Sequence, residues 1–408
     1  MYEFFTGVYI SEEQTEGRLI AVNEKFLTIS LKEKGNILIV DSSKPKNIYS
    51  DLPYLKGNNA SILDLEFSPF NNNILASGYS DNSVLLWNIP KKGLTKNIIN
   101  KQNTIYNKHK NKVNFINFNP IPSDLICSST LDGDIHIWSV EKKDKYIDFK
   151  TDYPTKVSWN QYGNLIGVTT KSNNIHIFDL RYKKILYEKQ INESSNRHST
   201  FVWNDDYLFS TISWTKDSNY RMLYLWDIRN LNKEINSIVI DSSINTCNLF
   251  VNRELKLIYI VGKEEKKIYV YNYNDNNYQL EGTYELEDLI TYSVLFNRKC
   301  LNKNNSEIDR FAIYSNQNKK INYISFINEK KKEFDNINQK YNTLIVFDKF
   351  EHPKKKNIVN ELYEDKNKYA IYENYNNNNE IEELKMQLIQ LDGIKQLNME
   401  LLKNKEQN

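Results

Sequence analysis

Short apolar runs separated by polar turns recur along this chain at a nearly constant interval. In Ile62-Leu-Asp-Leu-Glu-Phe-Ser-Pro, the alternation of Leu63, Leu65 and Phe67 is the period-two signal of a half-buried strand, and Ser68-Pro69 ends it. Ile74-Leu-Ala-Ser-Gly-Tyr79 and Val84-Leu-Leu-Trp87 follow as two further strands, joined by the turn residues Ser80-Asp-Asn-Ser83. A second copy, Val113-Asn-Phe-Ile-Asn-Phe-Asn-Pro then Leu125 to Trp138, repeats the arrangement almost residue for residue. Weaker copies fall at Leu19 to Asp41, Val157 to Asp179, Phe201 to Asp227, Cys247 to Tyr271 and Tyr292 to Phe326, which makes seven. A period of roughly 40 to 50 residues marks a fold built from stacked or radial repeats. An open ring would leave an edge strand exposed, so Phe4 to Ile10 is expected to supply the extra strand that completes the seventh unit.

These copies resemble the WD-repeat family, whose units carry a His, an Asn/Ser-Pro turn, a Ser-x-Asp-Gly turn and a terminal Trp-Asp. The resemblance covers about residues 5 to 330 and implies an all-β, seven-bladed WD-repeat β-propeller. His109, Thr130, Asp132 and Trp138 match the family's blade-locking set; Asp81, Trp87, Trp226 and Asp227 are its counterparts in other blades. Asn58 stands where a His is expected, and Phe178 and Tyr271 replace tryptophans.

Features outside the repeat narrow the resemblance to the coronins. They are Ala76 to Pro90 with Gly93-Leu94, Val157-Ser-Trp-Asn160, Arg221-Met-Leu-Tyr-Leu-Trp226, Ile258-Tyr-Ile-Val-Gly-Lys263 with Lys267 to Tyr271, and Glu307-Ile-Asp-Arg-Phe311. Coronin organisation implies a propeller over residues 1–330, an extension packed on it over 331–349 around Tyr341 to Phe347, an Asn/Lys-rich linker over 350–379, and a coiled-coil helix over 380–408. In that last segment Ile381, Leu384, Leu388 and Leu391 keep coiled-coil spacing, and Ile394, Leu397 and Leu401 continue it after a phase slip. An amphipathic helix docked on its own propeller is the competing reading of the same pattern. Oligomerisation is expected, without a defined stoichiometry.

The resemblance also implies partners: actin filaments and, in several members, the branched-actin nucleating complex. It implies a cytoplasmic, cytoskeletal adaptor that binds or bundles filaments in support of actin organisation and motility. Coronins commonly carry Arg-x-Ser-Arg before the first clear blade, and this chain has Tyr9-Ile10-Ser11-Glu12 there, so Glu12 reverses the charge expected against an acidic filament. Lys91, Lys92, Lys108, Lys110, Lys112 and Arg181 are the basic candidates that could substitute, with Lys142-Lys143 and Lys183-Lys184 beside them. For each cluster a solvated turn is the simpler account. A scaffold of a different assembly, in trafficking or a ribonucleoprotein, is the alternative function.

Composition narrows the field further. Lys+Arg 54 against Asp+Glu 52 leaves a formal charge of +2, which creates no global field to favour nucleic acid or an anionic membrane. No run approaches the roughly 20 apolar residues of a membrane span, and Lys330–Lys332 or Lys354–Lys356 would give at most a weak attraction to acidic headgroups. Cys127, Cys247 and Cys300 are far apart and outside any metal-ligand spacing, so free buried thiols in a reducing compartment are expected. Five histidines form no HExxH, and there is no phosphate loop or GxSxG elbow, so neither catalysis nor a metal or other cofactor is expected.

Overall fold

The structure is a computed structural model describing residues 4–327, apart from short segments at 14, 49–51, 100–108, 122–124, 143, 192–196, 216–219, 275–276 and 302–306. The expected extension, linker and coiled coil, and Lys108 and Lys143, lie outside the described residues.

Seven antiparallel sheets form in chain order, each a meander whose first strand lies innermost. Blade 1 runs Ile20–Val22, Phe26–Ser30, Asn36–Asp41 and Tyr54–Lys56. Blade 2 has Ile62–Phe67, Ile74–Tyr79 and Val84–Asn88; the chain then crosses back, and Ile98–Ile99 pairs in parallel with the outer strand of blade 1. Blades 3 to 6 are four-stranded and begin at Val113, Pro154, Thr200 and Cys247. Blade 7 combines Tyr292–Leu295, Glu307–Ser315 and Lys320–Ile327 with Phe4–Phe5, whose residues pair with Asn322 and Ile321. The two ends of the described chain are thus zipped into one sheet, which removes the edge that would otherwise be open. Among the described residues the only helical element is a 3-10 turn at Arg298–Cys300.

The core lies between blades rather than within them. Each sheet presents apolar side chains on both faces: Leu65, Leu75, Leu85 and Trp87 of blade 2 pack with Ile37, Ile39 and Leu55 of blade 1, while Ala76 and Val84 of blade 2 pack with Ile116 and Ile126 of blade 3. That two-sided demand explains why second strands such as Leu125–Thr130 and Leu165–Thr170 are buried along their whole length. Phe5 is fully buried against Tyr323, so the closing strand adds packing as well as hydrogen bonds. Gly133, at φ +89°, turns the corner of blade 3 where an added Cβ would sit 1.9 Å from the carbonyl oxygen of Thr151.

Antiparallel pairing sorts the loops onto two faces. Turns between second and third strands, and the connections between blades, open on one face, here the upper. Turns between first and second and between third and fourth strands open on the lower.

Candidate interaction surfaces

The blade-locking residues gather as two sets. In blade 3 the Trp138 indole Nε1 donates to Ser128 Oγ at 2.7 Å, and His109 Nε2 meets the same oxygen at 2.6 Å. Thr130 and Asp132 form a separate turn lock: Thr130 Oγ1 donates to Asp132 Oδ1 at 2.5 Å and accepts the Asp134 amide at 3.0 Å. In blade 2 Trp87 donates to Ser77 Oγ at 2.7 Å, while Asn58, in the histidine position, donates to Asp81 at 2.8 Å and to Ser83 Oγ at 3.0 Å. Trp226 of blade 5 donates to Thr211 Oγ1 at 2.9 Å, and Asp227 is taken by the guanidinium of Arg229.

Sequence reasoning named the tryptophans but missed Ser77, Ser128 and Thr211. Each lies two residues past the cross-strand partner of its tryptophan: Leu75, Ile126 and Phe209 face Trp87, Trp138 and Trp226. A diagonal neighbour in a sheet is within reach of a large side chain, so the signal is in the register. His109 also stacks on His136 at 4.2 Å between ring centroids. Burial and the neighbouring His136 pull the His109 pKa down to about 3.

A charged knot lies on the propeller axis. Arg18, on the connection into blade 1, reaches the innermost strand of blade 2: its backbone N and Nε donate to Asp64 Oδ1 at 2.7 and 2.9 Å, Nη2 to Asp64 Oδ2 at 2.9 Å, and Nη1 to Glu66 Oε1 at 2.8 Å. The same carboxylates accept backbone amides of blade 3, Ile116 to Asp64 at 2.7 Å and Phe118 to Glu66. Three blades are therefore tied by one ion triad. Burial opposes the Arg18 charge, but Asp64 and Glu66 outweigh it and raise its pKa; burial lifts that of Glu66. Above the triad, Lys263 pairs with Glu16 at 2.8 Å, and burial together with Arg18 holds Lys156 down to about 8.

The basic candidates divide between the faces. Lys91 and Lys92 of blade 2 and Arg181 of blade 4 sit on lower-face turns, as do Lys142 of blade 3 and Lys183 of blade 4. Lys110 and Lys112 sit on the upper face, in the connection from blade 2 to blade 3. Arg181 is engaged by Asp179, with Nε to Oδ1 at 3.0 Å and Nη2 to Oδ2 at 2.6 Å, whereas Lys91, Lys92, Lys142 and Lys183 are exposed. Lys112 approaches Glu13 at 3.9 Å. Glu12 is exposed and pairs with Lys32 at 2.9 Å, and this hydrogen bond lowers its pKa.

Cys127 and Cys247 are buried free thiols and Cys300 is half-buried; burial raises all three pKa values, those of Cys247 and Cys300 to about 12. Among the described residues no group of three His, Cys, Asp or Glu could hold a metal ion, and no helix is long and apolar enough to cross a membrane.

Comparison with known proteins agrees with this geometry. The chain is 25% identical to Coronin-2A of Bos taurus over 290 residues, covering 68% of this chain and 55% of that protein. It is 23% identical to the coronin-like protein of Saccharomyces cerevisiae over 339 residues, covering 79% and 52%. The crystal structure of the WD40 domain of Toxoplasma gondii coronin superposes with a TM-score of 0.75 at 23% identity, covering 81% of this chain and 85% of that domain. The family model for eukaryotic translation initiation factor eIF2A matches residues 46–196, well under half of the chain. The blades and their locks define a seven-bladed WD-repeat β-propeller. The chain is a divergent member of the coronin family. It spans about half the length of these two curated relatives.

Proposed function

We propose that this chain is a non-enzymatic adaptor of the actin cytoskeleton that binds filaments through its lower propeller rim and gains avidity by oligomerising through the coiled coil expected over residues 380–408. The observation that supports this reading best is the run of lower-face turns on three successive blades. Lys91, Lys92 and Lys96, then Lys142, then Lys183 and Lys184 project there as exposed side chains, against the exposed acids Glu141 and Asp144. A contiguous basic strip suits an acidic filament surface, with charge steering the encounter. Membership of the coronin family supports actin as the partner class. Heptad spacing from Ile381 to Leu401 supports linkage of two or more propellers, so that weak single contacts add as avidity.

Reversing Lys91, Lys92, Lys183 and Lys184 to Glu is expected to weaken co-sedimentation with polymerised actin by about ten-fold or more at low salt, since each surface charge contributes a few tenths of a kcal/mol or more. Reversing Lys110 and Lys112 on the opposite face should leave pelleting nearly unchanged. The opposite ranking would place the contact on the upper face and overturn the assignment of the rim.

A second reading, a propeller scaffold of a non-actin assembly such as a ribonucleoprotein, is favoured by two observations. Glu12 is held in an ion pair where coronins commonly carry a basic residue. Residues 46–196 also match the family model for an initiation factor. On that reading neither set of reversals affects actin pelleting, because the unaltered chain does not pellet.

A further inference from the structure

We propose that the lower mouth of the central channel, between blades 7, 1 and 2, binds the basic side chain of an arginine or lysine presented on an extended peptide. The mouth opens into a cavity of about 370 Å³, enough for one long side chain and part of its backbone. Its walls and its floor differ in chemistry. Val22, Phe67 and Val294, from the inner strands of the three blades, and Phe296, just past the last of these strands, supply apolar walls, which suits an alkyl stem. Glu66 lies at the floor with 23% of its side chain still exposed. Each oxygen of its carboxylate accepts one hydrogen bond, from Arg18 or from the Phe118 amide, and each has a further lone pair to offer.

The sign of the ligand follows from the charges around the cavity. Arg18 is outnumbered by Asp64 and Glu66, which leaves the triad at −1 when both acids are ionised. At the rim, exposed Glu24 is balanced by Lys299. Lys156, the cation that offsets the triad, lines the separate upper cavity with Glu16 and Lys263, so the lower mouth meets the Glu66 carboxylate itself in a recessed, weakly screened position, where a cation gains most. Burial raises the pKa of Glu66 despite its pairing with Arg18, and an incoming ammonium or guanidinium would oppose that shift. The arrangement recognises a stem with a charged tip: apolar contact along its length and a hydrogen-bonded ion pair at its end. This pocket is distinct from the lysine rim, which has the opposite sign and lies on the outer turns of blades 2 to 4.

Saturation-transfer NMR titration of the full chain with acetyl-Gly-Gly-Arg-Gly-Gly-amide, and with peptides carrying Lys, norleucine or Glu at the centre, tests the assignment. The Arg and Lys peptides should bind saturably, and the norleucine and Glu peptides at least about five-fold more weakly. Glu66→Gln should weaken the Arg peptide by about the same factor. Because Glu66 also ties blades together, Glu24→Lys, an exposed change at the rim, serves as the second variant and should weaken binding by repulsion without altering the fold. Absence of saturable Arg-peptide binding up to ~5 mM, equal binding of the norleucine or Glu peptide, or unchanged affinity in Glu24→Lys would each overturn the proposal.

Discussion

Replacing Asp64 with Ala is expected to destabilise the propeller by about 3–5 kcal/mol, among the largest single-residue effects in the molecule. Asp64 is fully buried and accepts four hydrogen bonds, three from Arg18 and one from the Ile116 amide. Its removal leaves a half-buried guanidinium with Glu66 as its remaining carboxylate partner and a buried blade 3 amide without its acceptor, so the cost combines an uncompensated charge with an unmade hydrogen bond. Chemical denaturation followed by tryptophan fluorescence would read the loss as a lower midpoint. Glu12→Gln, which breaks an exposed ion pair, should leave that midpoint in place. Equal midpoints for Asp64→Ala and the unaltered chain would mean that the triad contributes little to holding blades 1 to 3 together.

Acid should weaken the fold well above the range in which carboxylates protonate. His109 is 3% exposed, and its pKa is about 3 in the folded chain against 6.5 for the free side chain. Between those values the unfolded chain binds a proton that the folded chain refuses, so stability rises with pH across the window and is lost as pH falls from about 6.5 towards 3. For a shift of this size the loss amounts to a few kcal/mol by the bottom of the window. Lowered pKa values at His136, His176 and His198 act in the same direction. Glu66 and Asp309, whose pKa values burial raises, act in the other. Thermal midpoints at pH 7.0, 5.5 and 4.5 should fall progressively, and His109→Gln, which keeps a polar group but cannot titrate, should flatten the fall. A slope unchanged by that substitution would move the acid sensitivity to other groups.

The repeat was legible because strand alternation and turn residues are local properties. All seven copies, from Leu19 to Phe326, lie in the seven blades, and the start of Phe4 to Ile10 supplies the closing strand. The hydroxyl partners of the tryptophans were not legible, because they depend on cross-strand register. Ser77 and Ser128 each precede their tryptophan by ten residues, but Thr211 precedes Trp226 by fifteen, since the turn in blade 5 is longer. Asp64 and Glu66 were hidden for a related reason. They occupy the polar phase of an alternating strand, which reads as a solvated face, yet that face lines a channel and is sealed by Arg18 from a distant connection. The division of lysines between two faces likewise follows from strand order rather than from spacing: Lys92 and Lys110 are close in sequence and lie on opposite faces.

Co-sedimentation of the full chain with polymerised actin over a salt series, beside a chain ending at residue 379, tests the central claim most directly. A charge-steered, avidity-assisted filament binder should pellet at low salt, lose pelleting as salt rises, and lose most of it on truncation. No pelleting even at low salt would contradict the account and leave a coronin-family propeller whose partner is not the filament.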